Sequence, residues 1–230
     1  MLVRLGKPYI DLLTRREAKH QEFKRINERP VEYAFALHWL NRLQPRTVLD
    51  VGTGKTAWPA VLRTCGFVVD AIDNVRDYWP AGMTSRYWYV RDDDIQQPRQ
   101  TPAADVVTCI SVLEHIPDQM AAMRGLYEVT KPGGMVLLTT PFGTVGHPNV
   151  YSLPGSSGAR NPYICRQHHE ADLRAWLTVG FRLEHVEHWR LQSSPYLTVG
   201  ERIRPCEPSD GPAHLGCFVL RRTEGTPQSL

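Results

Sequence analysis

The sequence predicts one α/β domain: a parallel sheet with helices on both faces. Short β-branched runs recur along the middle of the chain, and helical or glycine-ended segments separate them. The length of 230 residues fits a single domain, and a hydrophobic content of 42% with 22% charged residues supplies an ordinary soluble core.

Residues about 10 to 44 read as helical. Pro30 marks a new start, since proline suits a first helical turn. Val31, Phe35, Leu37, Leu40 and Leu43 then form an apolar stripe. The pattern changes at Thr47-Val48-Leu49-Asp50-Val51, a buried strand that runs into Gly52-Thr53-Gly54. A helix is expected over about 57–65, and a second strand over Phe67 to Ile72, ending at Asp73. Arg86 to Val90 is a third, weaker strand, and Asp105 to Ser111 a fourth. Asp118 is the expected N-cap of a helix whose inner face is Met120, Met123, Leu126 and Tyr127. Lys131-Pro132-Gly133-Gly134 reads as a stop and turn before a fifth strand, Met135 to Thr140. Residues 142–168 are rich in Gly, Pro, Ser and Asn and have no period, so an insertion or lid is expected there. A helix over about 169–179 ends at Gly180, and strands near 181–191 and 214–222 finish the sheet. Residues 1–45 thus form a helical segment on the core, 46–222 the sheet domain, and 223–230 a flexible tail.

A net charge of +3 does not argue for nucleic acid. The N-terminal run Arg15, Arg16, Lys19, Lys24, Arg25 and Arg29 is interleaved with Glu17, Glu22, Glu28 and Glu32, which reads as a solvated, partly self-paired face. The five cysteines, Cys65, Cys109, Cys165, Cys206 and Cys217, have no C-x-x-C spacing, so no metal site is expected; Cys65 and Cys109 sit in apolar runs and read as core residues. A reducing, cytoplasmic setting follows. No signal peptide and no membrane span is expected from the apolar runs.

Ligands of an open parallel sheet bind beyond the carboxyl ends of its strands. Gly52 and Gly54 follow the first strand, Asp73 ends the second, Asp92-Asp93-Asp94-Ile95 follows the third, and Ile110-Ser111 ends the fourth. Three ligands compete for Gly52-Thr53-Gly54-Lys55-Thr56. A phosphate loop needs a glycine where Leu49 stands, and a dinucleotide loop needs a third glycine where Ala57 stands. A sulfonium nucleoside needs close backbone approach and carboxylates but no anion-binding lysine, and the acidic strand ends suit it best.

These segments resemble the ordered motifs of class I S-adenosylmethionine-dependent methyltransferases of the small-molecule type. Val48-Leu49-Asp50-Val51-Gly52-Thr53-Gly54 is similar to the first motif, Ala71-Ile72-Asp73-Asn74 to the second and Asp94-Ile95 to the third. Val112-Leu113-Glu114-His115-Ile116, Lys131-Pro132-Gly133-Gly134 and Leu173 to Phe181 resemble the later ones, in order over about 46–190. The resemblance implies a Rossmann-like, seven-stranded mixed sheet with its last strand antiparallel, and S-adenosylmethionine as cofactor. It assigns Asp50, Gly52 and Gly54 to the methionine end, Asp73 with Asn74 to the ribose, Asp94 and Ile95 to adenine, and Ile110 to a backbone contact. The choice among Asp92, Asp93 and Asp94 stays open by one position. Thr56 departs from the family, where a third glycine is common, and Lys55 is unusual beside a cationic ligand.

A hydroxyl acceptor needs a base and a neutral amine does not; histidine is the natural base near neutral pH. The candidates are His115, then His168 and His169, with His147 in the loop. Tyr151, Tyr163 and Arg166 are candidates to shape an acceptor pocket. No N-P-P-Y-type tetrapeptide is present, which argues against the nucleic-acid and protein-glutamine amine branch. The expected reaction is methyl transfer to an oxygen or nitrogen of a small molecule, such as a sugar or natural-product intermediate, with no nucleic-acid or membrane partner. Aminopropyl transfer on the same fold and a non-catalytic cofactor-binding module are the alternatives.

Overall fold

The computed structural model describes residues 2–19, 27–79, 82–99, 101–152, 163–191, 203–207 and 213–224. The expected tail beyond Glu224 and the middle of the long loop, 153–162, lie outside them.

The helices are α1 (Leu2–Lys19), α2 (Arg29–Leu43), α3 (Trp58–Thr64), α4 (Val75–Tyr78), α5 (Gln119–Val129) and α6 (Glu170–Leu177). The strands are β1 (Thr47–Val51), β2 (Val68–Asp73), β3 (Arg91–Asp92), β4 (Ala104–Ile110), β5 (Thr130–Pro141), β6 (Phe181–Leu191), β7 (Ile203–Pro205) and β8 (Leu215–Arg222). They form one sheet in the order β3-β2-β1-β4-β5-β8-β6-β7. β1 to β5 pair in parallel, and β8 lies antiparallel between β5 and β6. This is the expected Rossmann-like mixed sheet with an antiparallel last strand, with eight strands among the described residues rather than the expected seven. The extra one is β7, a short edge ribbon antiparallel to Trp189–Leu191 of β6.

Alternation along the strands divides the core. Leu49, Val107, Cys109 and Phe218 face α5 and α6, where Leu126 and Trp176 meet them. Val48, Val106, Leu137 and Val219 face α2 and α3, against Phe35, Leu40, Trp58 and Leu62. The first helix begins at Leu2 rather than near residue 10, and α2 starts one residue before Pro30. Asp118 caps α5 as expected, accepting the Ala121 N–H at 2.9 Å.

Three readings are corrected. The third strand is Arg91–Asp92, not 86–90. Ser85 Oγ accepts the N–H groups of Tyr87 and Trp88, and that turn withdraws both donors from a ladder. The Lys131–Gly134 turn lies within β5 as an irregular lead-in: Thr130 pairs with Ala104, and pairing resumes at Met135 with Val106. Cys109 is buried, but Cys65 is exposed, because it closes the outer end of α3 with its N–H on the Val61 and Leu62 carbonyls.

The parallel order reverses between β1 and β4, so the carboxyl ends of β1, β2 and β4 open on a common crevice. Asp105 fastens the opposite end of the sheet. Its carboxylate accepts from Thr47 N–H and Oγ1 at 2.8 and 2.9 Å and from Lys131 Nζ at 2.7 Å.

Candidate functional site

A cleft of about 280 Å³ lies at this crevice. Its floor is the loop after β1. Gly52 and Gly54 adopt φ of +70° and +55°, and the Gly52 N–H bonds the Ile72 carbonyl at 2.9 Å. A Cβ on Gly52 would lie 2.4 Å from Val112 Cγ2, so only glycine fits between β1 and the segment after β4. The chain has left positive φ by Thr56, whose hydroxyl bonds the Thr53 carbonyl at 2.9 Å. The absent third glycine therefore costs this turn nothing. The Lys55 ammonium sits 5.4 Å from the Trp79 ring centre, over an aromatic face that also lines the cleft.

Asp50 is beneath the loop rather than in the cleft. Its carboxyl accepts Thr53 Oγ1 and Thr108 Oγ1, each at 2.7 Å, and burial pushes its pKa up to about 7. Asp73 lies in the cleft wall. One carboxylate oxygen accepts the Gly54 N–H at 2.7 Å and the other accepts Trp79 Nε1 at 3.0 Å. Burial raises its pKa as well, against those two bonds. Each oxygen keeps a lone pair for a further donor.

The three consecutive aspartates have different work. Asp92 accepts the Arg76 N–H and pairs with its guanidinium. Asp93 is buried and closes the next turn, accepting from the Asp94 and Arg99 N–H groups and from Thr101 Oγ1. Asp94 borders the cleft with Ile95; it accepts Asn74 Nδ2 at 3.2 Å and the Gln96 N–H at 2.9 Å. Asp93 and Asp94 both border the cleft, and Asp92 does not line it. Ile110 turns its side chain into the α2 core, and its carbonyl accepts Arg29 Nη1 at 3.3 Å.

Arg29 and Glu32 were not singled out in the sequence, where both merge into the mixed charges of residues 15–32. Glu32 is fully buried and accepts Arg29 Nη1 at 3.0 Å, Ser111 Oγ at 2.5 Å and Thr139 Oγ1 at 2.7 Å. The guanidinium borders the cleft beside the glycine loop. The available signal was an acidic residue set within the apolar stripe of α2, between Val31 and Phe35.

His115 borders the cleft opposite Asp73. Its Nδ1 is 2.6 Å from the Ile164 carbonyl, which can only accept, so Nδ1 carries the proton and Nε2 keeps its lone pair. Burial lowers the pKa of the ring. Tyr163 meets the ring edge-on at 5.4 Å, and Tyr78 lies 5.3 Å from Tyr163. Beside it, Glu114 is buried, and burial pushes its pKa to about 8; Thr140 Oγ1 donates to it at 3.2 Å.

His168 and His169 do not line the cleft, contrary to the expectation that they face the cofactor. His168 is fully buried, edge-on to Trp176, with its backbone tied to Pro141 and Gly143. His169 caps α6 through Asp172 Oδ2, at 2.6 Å from Nδ1. His147 pairs with Gln167 in the loop. Arg166 reaches the Pro117 carbonyl at 3.4 Å and Tyr151 lies near His115, which draws the ends of the loop toward the cleft.

Comparison with known proteins agrees with this geometry. Residues 18–197 match the model of a methyltransferase domain. The chain belongs to that family, the class I S-adenosylmethionine-dependent methyltransferases. Within it, the ubiquinone biosynthesis O-methyltransferase of Xanthomonas axonopodis pv. citri (strain 306) is 32% identical over 192 residues, covering 72% of this chain and 75% of that one. The protein of the same name from Aliivibrio fischeri (strain MJ11) is 28% identical over 142 residues, covering 58% and 61%. The match thus spans about three fifths of the length of such relatives. Among solved structures, the 1,6-didemethyltoxoflavin-N1-methyltransferase of Burkholderia thailandensis, bound to 1,6-didemethyltoxoflavin and S-adenosylhomocysteine, superposes with a TM-score of 0.54 at 16% identity, covering 85% of this chain and 77% of that one. At that identity the likeness is one of fold.

Proposed function

We propose that this methyltransferase-family protein moves the methyl group of S-adenosylmethionine to a hydroxyl of a small molecule, with His115 as the general base. The observation that carries the reading is the 2.6 Å contact of His115 Nδ1 with the Ile164 carbonyl, which leaves Nε2 as the basic nitrogen of a ring that borders the cleft. Relatives named as O-methyltransferases support oxygen over nitrogen as the acceptor atom.

The cleft suits the cofactor by its donor set. It offers the Asp73 and Asp94 carboxylates and backbone groups for hydroxyls and base edges, and the Arg29 guanidinium for a carboxylate, while Lys55 lies over Trp79. Asp73 holds the ribose hydroxyls, with Asn74 beside it. Asp94 and the Ile95 backbone meet adenine. Gly52 and Gly54 let the methionine end approach the chain, Arg29 faces its carboxylate, and Asp50 supports the loop from below. When bound, S-adenosylmethionine supplies a methyl group on a sulfonium, open to in-line displacement.

The remaining work falls to the protein. His115 Nε2 accepts the proton of the acceptor hydroxyl as the oxygen becomes nucleophilic. The lowered pKa keeps the ring neutral, and therefore competent, at neutral pH. Tyr78, Tyr151 and Tyr163 flank this base and shape the acceptor end. The free cysteines fit a cytoplasmic setting.

The test is transfer of isotopically labelled methyl to a panel of hydroxyl-bearing and amine-bearing small molecules. The expected product is a labelled ether. Label found only on nitrogen would refute the role of His115 as base, and cofactor binding without transfer to any acceptor would favour a binding module.

A further inference from the structure

Helix α1 takes no part in the cleft, and its surface is unusual. Tyr9, Ile10, Leu12 and Leu13 are 65%, 58%, 65% and 40% exposed. At roughly 100° per residue, Tyr9, Leu12 and Leu13 share one face with Ile10 at its edge; Lys7 and Arg15 lie behind it with Asp11 between them, and Lys19 flanks the stripe beside Leu12. The described side-chain hydrogen bonds of the helix are internal: Lys7 to Asp11 at 2.6 Å, and Thr14 to the Ile10 carbonyl at 3.0 Å. A helix of this length with Pro8 inside it is marginal in water unless its apolar face is covered.

Charge identifies the cover. Residues 2–19 hold five basic and two acidic residues, a net charge of +3, equal to that of the entire chain. An apolar stripe with basic residues behind it and along its margin is the pattern of a helix lying in the plane of a lipid interface. Arg16 is exposed on the apolar side, four residues after Leu12. Its long stem lets the guanidinium rise to a headgroup, whereas a parallel second copy would set it against its own mate. No described helix is long and apolar enough to cross a membrane.

We propose that α1 docks this protein in-plane on an anionic bilayer surface, its apolar stripe at the acyl boundary and its basic residues among the headgroups. This departs from the expectation, drawn from the sequence, of no membrane partner. The stripe escapes a search for continuous apolar runs because Asp11 divides it and its residues recur at helical spacing.

The test is co-sedimentation of the full chain with phosphatidylcholine vesicles containing phosphatidylglycerol, and with phosphatidylcholine alone. The protein is expected to pellet with the anionic vesicles and to be released by high salt. The exposed double variant Leu12→Ser/Leu13→Ser should lose at least tenfold in partitioning. Arg15→Gln/Lys19→Gln should lose roughly thirtyfold on anionic vesicles, about fivefold per basic residue, and be unchanged on neutral ones. Unchanged melting of both variants verifies that they are folded. Equal binding of the wild-type chain to neutral vesicles, or none to either, overturns the proposal. So does self-association that Leu12→Ser/Leu13→Ser abolishes in a protein that ignores vesicles, which would assign the face to a second copy.

Discussion

Replacing Gly52 by alanine probes the joint between the cofactor loop and the segment carrying His115. Two costs combine. The left-handed φ of +70° costs an L-residue about 1–2 kcal/mol. The new Cβ would stand 2.4 and 2.5 Å from the two Val112 methyl carbons, against the roughly 3.5–4.0 Å of carbon contact, and such overpacking costs about 1–3 kcal/mol. The expected loss is therefore about 2–5 kcal/mol, or roughly 4–20 °C in Tm for a domain of this size. Thermal denaturation and calorimetric titration with S-adenosylmethionine measure the two readouts, and cofactor affinity should fall with stability because the same loop forms the floor. Val112→Ala removes both close methyl groups. In a double-mutant cycle it should return about 1–2 kcal/mol to Gly52→Ala beyond additivity, leaving the φ cost in place. A Gly52→Ala protein with wild-type Tm and affinity, or strictly additive effects, would refute the packing argument.

Three other outcomes follow from the same geometry. His115→Ala should lower kcat by roughly 10²–10⁴ while the cofactor Kd stays within about threefold, and the acidic limb of the wild-type pH profile should lie below the ordinary histidine pKa of 6.5; equal losses in binding and rate would show a structural role instead. Glu28 and Asp50 have pKa values raised to about 7 and Glu114 to about 8, so the native state holds extra protons above the usual carboxylate range. Their contribution to stability is complete near pH 4 and is lost as pH rises through 7 to 8; melting curves should show this decline, and Glu114→Gln should flatten its upper part. Asp105 is the opposite case, since Lys131 and Thr47 lower its pKa; Asp105→Asn should cost about 1–2 kcal/mol at neutral pH, with the gap to wild type closing as acid protonates the native carboxylate.

The parallel half of the fold was legible because period-2 burial and turn chemistry are local. Val48 and Leu49 alternate between the two core faces, and the glycines and Asp73 fall at strand ends where the chain must turn toward a ligand. β3 was misplaced because a two-residue strand has no periodicity of its own, and the Ser85 turn decides where pairing begins. β7 is an edge of three residues that owes its existence to Trp189–Leu191, a long-range pairing no window contains.

The site divides similarly. Acidic strand ends announce the cofactor side. The proposed acceptor side depends on tertiary placement: a carbonyl distant in sequence, at Ile164, fixes the His115 tautomer, and a buried glutamate, bound by the hydroxyls of Ser111 just after β4 and Thr139 of β5, holds Arg29. His168 and His169 looked equivalent in the sequence, yet one packs on Trp176 and the other caps α6. Adjacent residues entering a helix point in different directions, so proximity in sequence could not assign them to the cleft.

The central claim is that the crevice formed by Gly52, Gly54, Asp73 and Asp94 holds S-adenosylmethionine. Isothermal titration of the folded chain with S-adenosylmethionine and with S-adenosylhomocysteine, repeated on Asp73→Ala, tests it most directly. One-site binding that Asp73→Ala weakens at least tenfold is the predicted result, as two charge-assisted bonds and the ribose acceptor are lost together. No heat with either ligand, or an affinity indifferent to Asp73, would contradict it.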